Sequence, residues 1–180
     1  MKGIVFTEFL EMVELNFGLE VVDTIIENSH LPSTGAYTAV GTYDFNEMVQ
    51  LLTNLSKTTN LGANALLNSF GHYLFNGLLA AHPEVVSSYK NPISLLYSIE
   101  DHIHIQVKKL YPDAQLPTFK ILEKTDTKLS MVYASERGLY ALAQGLIEKT
   151  FEHFNKEVTV ELKLLNEAGT EVRFNITQHG

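Results

Sequence analysis

The sequence predicts an α+β fold: a helical N-terminal part of about 110 residues, then a small antiparallel sheet with one embedded helix. Three observations carry that prediction. Apolar residues recur at helical spacing as far as Leu110, the texture turns to alternation beyond Pro117, and a single helical stretch over 139–154 interrupts the alternation.

Val5, Phe9, Met12, Val13, Phe17, Val21, Val22, Ile25 and Ile26 follow a helical period that Gly18 breaks, so two short helices are expected rather than one. Pro32 to Gly35 reads as a loop, and Asp44 or Asn46 can cap a helix running toward Ser56. Residues 61 to 81 carry Leu66, Phe70, Leu74, Phe75 and Leu78 on one broad apolar face, with Gly71 and Gly77 inside the pattern. Glycine in a helix costs roughly 1 kcal/mol against Ala, so each implies a bulky body close to the backbone, either a ligand or another helix. Pro92 opens a further helix whose stripe is Leu96, Ile99, Ile103, Val107 and Leu110, ended by Pro112. Lys120–Glu123 and Lys128–Tyr133 alternate as strands, and Leu139 to Phe154 is helical. Val158, Val160, Leu162 and Leu164 then pair through a turn at Asn166–Gly169 with Val172, Phe174 and Ile176.

At 180 residues the chain is expected to form one unit, 1–180, with a substantial core. A formal charge of −8 repels nucleic-acid phosphate, which excludes nucleic acid as a partner. The absence of cysteine excludes disulfides, Cys-ligated zinc, Fe–S clusters and thiol catalysis, leaving His, carboxylates and Tyr as metal ligands. Ten Phe and eight Tyr supply groups able to line a flat aromatic ligand. Glu8 arrives before any long apolar run, as in no signal peptide, and no stretch approaches the ~20 apolar residues of a membrane span, so a cytoplasmic protein is expected.

Of the seven histidines, His30, His82 and His179 lie beside Pro or the chain end and are expected to be solvated, and His72 and His153 to sit at a surface or boundary. His102 and His104 share the helix that opens at Pro92. At about 100° per residue, His104 lies roughly 80° from the centre of the apolar stripe, on the flank of Tyr97 and Tyr111, and His102 roughly 120° away on the other side. Residues i and i+2 point about 200° apart, so a metal site using both is disfavoured. Periodicity leaves both a boundary histidine and a ligand open for His104.

Three segments together resemble the H-NOX (haem nitric oxide/oxygen binding) family. The opening Met1-Lys2-Gly3-Ile4-Val5-Phe6, with Phe17-Gly18, is similar to the start of such domains. Ile103 to Pro112 resembles the family's proximal-histidine helix, with Tyr111-Pro112 seven and eight residues after His104, a spacing that selects His104 over His102. Tyr133-Ala134-Ser135-Glu136-Arg137 matches the family's Tyr-x-Ser-x-Arg signature. In an extended segment i, i+2 and i+4 project to one side, so Tyr133, Ser135 and Arg137 can present two hydroxyls and a guanidinium to two carboxylates.

The resemblance implies haem b with ferrous iron, buried between a helical distal part, about 1–65, and a sheet-bearing proximal part, about 66–180. His104 would be the axial ligand, Tyr133, Ser135 and Arg137 would hold the propionates, and Pro117 would press on the porphyrin. Relatives that bind O₂ stably carry a distal tyrosine five residues after the signature arginine; here that position is Leu142, and Tyr140 would point about 200° elsewhere. With Val5, Phe9 and Leu74 it implies an apolar distal pocket without a donor, which favours NO and CO and excludes O₂. The resemblance further implies NO-dependent weakening of the His104–iron bond and a separate partner, a histidine kinase or a cyclic-di-GMP enzyme. The Cys-rich zinc site of some relatives has no counterpart here. The alternative is a haem-free or apolar-ligand adaptor domain of the same fold, against which the retention of His104 and the signature residues speaks. An enzyme is disfavoured because catalysis requires a positioned acid–base group among distal positions that are apolar.

Overall fold

Gly18 adopts φ +89°, a left-handed conformation that glycine tolerates, and it divides the first helical stretch into α1 (Gly3–Phe17) and α2 (Leu19–Glu27). The computed structural model describes residues 1–179. Asp44 accepts the Asn46 N–H at 2.9 Å and so caps α3 (Phe45–Thr59), which is followed by α4 (Ala63–Ala81). These four helices enclose a first core that includes Phe6, Met12, Ile25, Leu51, Leu55 and Phe70. Glu47 is buried beside it, and its carboxylate accepts hydrogen bonds from the Ser33 hydroxyl and, at 2.9 Å, from Tyr37. A buried carboxylate without such donors would be costly, so the pair holds the loop between α2 and α3 against the helices.

The single helix expected from Pro92 to Leu110 is corrected by the structure, which divides it into α6 (Pro92–Tyr97), a π-helical turn (Ile99–Ile103) and α7 (His104–Leu110). A short α5 (Pro83–Ser87), opening on Pro83, precedes it. In the π turn the His104 N–H reaches back to Ile99 O and the Ile103 N–H to Ser98 O at 3.3 Å. Each bond spans five residues instead of four, which changes the phase of every side chain after Ser98.

The strands β1 (Thr118–Lys124), β2 (Lys128–Ala134), β3 (Val158–Leu164) and β4 (Glu171–Gln178) form one antiparallel sheet in the order β1-β2-β4-β3. α8 (Tyr140–His153) connects β2 to β3. Alternation along β2 and β4 sends Leu129, Met131, Tyr133, Val172, Phe174 and Ile176 into a second core, where Phe151 of α8 and Leu96 of α6 also lie. The Asn166–Gly169 turn is present, and Asn166 Oδ1 accepts the Thr170 N–H at 3.0 Å.

The two cores meet where α4 crosses α8. A Cβ on Gly71 would stand 2.4 Å from Leu142 O, and one on Gly145 only 2.1 Å from Asn68 O, so the helices touch backbone to backbone. The body that Gly71 accommodates is therefore a helix, and the one at Gly77 is the Glu8 carboxylate of α1, 2.2 Å from a Cβ position. The first core takes in Leu66, Phe70 and Leu74, and so extends past residue 65 into α4. Among the described residues no helix is long and apolar enough to cross a membrane. Substituting Gly145→Ala is expected to lower stability by about 1–3 kcal/mol through overpacking against a backbone carbonyl that cannot move aside. Denaturant unfolding measures this, and an unchanged midpoint would contradict the crossing geometry.

Candidate functional site

Between the two cores lies a cavity of about 560 Å³. Its walls come from Val5 of α1, Leu74 and Leu78 of α4, Leu142 of α8, and Ile99 and Ile103 of the π turn. Protein cavities of roughly 300–1,000 Å³ accommodate small organic ligands and cofactors. A dry apolar void of this size would cost on the order of 10 kcal/mol, comparable with the whole stability of a domain, so walls of this kind suit an apolar occupant.

His104 lines the cavity from the start of α7, with a side chain only 13% exposed. Its Nδ1 lies 3.2 Å from Glu100 Oε1, and its ring stands 6.0 Å from that of Phe119. Burial holds the imidazole below its ordinary pKa, outweighing the opposing pull of Glu100, so the ring is neutral near pH 7 and able to offer a lone pair. The π turn is what brings His104 to this wall beside Ile99 and Ile103. On a regular helix, residues 99 and 104 would lie about 140° apart. His102 turns away: its Nδ1 contacts the Tyr89 hydroxyl, which accepts from Ser98 Oγ at 2.5 Å.

Tyr133, Ser135 and Arg137 come together at the cavity, although by a different route from the extended segment expected. β2 ends at Ala134, and Ser135 to Gly138 form a turn in which the Gly138 N–H donates to Ser135 O at 3.1 Å. Gly138 sits at φ +61°. Tyr133, in register with Phe119 and Val172, is buried at the strand end, and burial raises its phenol above the usual pKa, so it remains a proton donor. The turn then bends back and returns Arg137 to the same rim. There its guanidinium donates to Gln115 O at 3.2 Å and Gln115 Oε1 at 2.8 Å, and stands over the Phe45 ring at 5.3 Å. Both acceptors are neutral, so a carboxylate would compete well for the same fork.

Pro117 lines the cavity directly before β1, and Val5, Leu74 and Leu142 line it from the helical side. Phe9 does not. It is fully buried, with its ring 5.2 Å from Phe70 and nearly perpendicular to it, because the α1 period turns it into the first core behind Val5. Tyr140 points elsewhere as expected, accepting from Asn64 Nδ2 at 2.8 Å. His82, expected in solvent, instead lines the cavity from the end of α4, on the row of Leu74 and Leu78, with a buried Nε2 that has no partner among the described residues. His82 thus adds a second imidazole to the lining, at an end where its ring stands 6.5 Å from that of Tyr111. The i, i+4 spacing of Glu100 from His104, and of His82 from Leu78, is the signal that could have revealed both.

Beside Tyr111, Lys2 Nζ bonds Thr42 Oγ1 at 2.8 Å and Asp113 at 3.1 Å, which ties the N-terminal segment to the loop that follows α7.

The haem-NO-binding family profile matches residues 2–162. The chain is similar to the Fe(II) unliganded H-NOX protein from K. algicida, with 49% identity over all of this chain and 97% of that one, at a TM-score of 0.98. It is similar to the S. oneidensis H-NOX protein in the Fe(II)NO ligation state, with 27% identity over the whole of both chains and a TM-score of 0.92. It also resembles the IWP-051-bound H-NOX from Shewanella woodyi in the Fe(II)CO ligation state, with 38% identity over 98% of this chain and 94% of that one, at a TM-score of 0.83.

Proposed function

The chain belongs to the haem-NO-binding family, and from that premise we propose that it is a gas sensor forming one haem domain across residues 1–180. The observation that carries this reading is the convergence of His104, Tyr133, Ser135 and Arg137 on one apolar cavity. The donor set fits haem b. One neutral imidazole suits the iron, two hydroxyls and a guanidinium suit the two propionates, and hydrocarbon walls suit the macrocycle. His104 would hold the iron through Nε2, Arg137 would give up Gln115 for a propionate, and Pro117 would lie against the porphyrin.

When bound, the haem would supply the iron at which NO and CO bind, and His104 would be the residue whose tether to that iron NO weakens. The chain's part is to make that event mechanical. His104 is the first residue of α7, so a change in its tether bears directly on α7, on Tyr111 and on the Lys2–Asp113 contact beyond it. A two-state element of this kind can bias a separate signalling protein, a histidine kinase or a cyclic-di-GMP enzyme.

Gas selectivity follows from the wall. A bound O₂ carries partial negative charge and needs a donor, whereas NO and CO bind ferrous haem without one. Val5, Leu74 and Leu142 offer only hydrocarbon. The similar proteins from S. oneidensis and S. woodyi hold NO and CO respectively, in agreement with this reading. Val5, Leu74 and Leu142 carry no acid–base group, which speaks against an enzyme.

The ferrous protein under argon is expected to give a five-coordinate spectrum, to form NO and CO complexes, and to form no stable complex in air. A stable oxygen complex would overturn O₂ exclusion, and its loss in His82→Ala would identify that imidazole as the donor. Failure to take up haem would overturn the sensor reading itself.

His104→Gly is expected to abolish the five-coordinate ferrous spectrum, and His102→Ala to leave it intact. The opposite pattern in absorption spectra would reassign the ligand.

A further inference from the structure

We propose that Glu100 is the positioning residue for His104: its carboxylate receives the imidazole Nδ1–H, directs Nε2 toward the cavity and strengthens His104 as a donor to iron. The inference rests on the reading of His104 as the iron ligand. Glu100 stands four residues before His104, across the junction between the π turn and α7, and its Oε1 lies 3.2 Å from His104 Nδ1. That oxygen is not free to wander, because it also accepts the Phe119 backbone N–H at 2.7 Å. Phe119 belongs to β1, an edge strand, so its N–H on the open side of the sheet has no strand partner and Glu100 supplies one.

A carboxylate only accepts, so the imidazole tautomer compatible with this contact carries its proton on Nδ1 and leaves the Nε2 lone pair for the cavity. His102 cannot substitute, since it does not line the cavity and its ring is turned toward Tyr89. Carboxylate–histidine–metal arrangements fix ring orientation and raise ligand basicity, and loss of the outer partner typically costs about 10–100-fold in metal affinity. Glu100 therefore makes the His104–iron bond harder to break, and couples it to the strand that begins just after Pro117.

The test compares ferrous wild type, Glu100→Gln and Glu100→Leu by the iron–histidine stretching band in resonance Raman and by the rate of haem transfer to apomyoglobin. Gln retains an oxygen for Phe119 and keeps the local fold, while it removes the charge. The expected result is a band that falls in frequency from wild type to Gln to Leu, with haem transfer from the Leu variant accelerated about 10-fold or more. A band at one frequency in all three proteins would overturn the role of Glu100 and leave the ligand assignment standing. A wild-type protein without the band would overturn the ligand assignment, and this proposal with it.

Discussion

Helices α4 and α8 approach so closely at Gly71 and Gly145 that neither position has room for a methyl group, and this crossing sets the relation between two otherwise separate cores. On one side the N-terminal helices pack on Phe70 and Leu74; on the other, the sheet packs on Ile147 and Phe151. Backbone contact leaves no adjustable side chains at the joint, so the space the cores leave beside it is fixed rather than collapsible. The cavity is that space. Leu74 on α4 and Leu142 on α8 reach it from the same two helices that make the crossing.

The nitrogen-bearing and phenolic groups that reach the apolar cavity do so where secondary structure ends or is irregular. His104 enters at the seam between a π turn and an α-helix, Tyr133 at the last turn of a strand's pleat, Arg137 from a tight turn, and His82 from the C-terminus of α4. Regular elements must send alternating or 3.6-period apolar faces into the cores, and a side chain with a donor on such a face would be desolvated without a partner. At element ends a donor can face the cavity while its backbone is satisfied by a cap, as in the Gly138–Ser135 turn. The charges are placed by the same rule. Arg137 sits at the rim, where Gln115 keeps it hydrogen-bonded and Phe45 covers one face, rather than in the apolar interior.

The segment from Ser98 to Asp113 is held by polar contacts to three parts of the chain outside it. Ser98 and His102 engage Tyr89, Glu100 engages Phe119, and Asp113 engages Lys2 and Thr42. Each is a polar contact at the surface or boundary, individually worth little in water. Together they brace the π turn and α7 without burying them, for neither contains a fully buried residue. An element fixed by a few polar contacts rather than by core packing is at the low-stability end of a structure, where switching elements are drawn from.

The sequence by itself determined the broad succession of helices and strands, the break at Gly18, a helix cap at Asp44 or Asn46, the closing hairpin and the candidacy of Tyr133, Ser135 and Arg137, because each follows from local period, capping or a contiguous motif. His104 was legible as a candidate too, through the family resemblance of its distance from Tyr111-Pro112 rather than through its helical angle. Tertiary structure alone decided the rest. The π turn depends on how α6 and α7 each dock, so a uniform 100° step gives the wrong phase for His104. Phe9 and Val5 are neighbours on one helix, and only the packing of Phe70 shows that Phe9 faces a core while Val5 faces the cavity. Ser135 and Arg137 converge through a turn because Gly138 takes a left-handed φ, which a period of two cannot express. Glu100, Gln115 and His82 acquire their roles from residues 19, 22 and 29 positions away, Phe119, Arg137 and Tyr111. Contacts across such separations are made by the meeting of cores, and no local pattern records them.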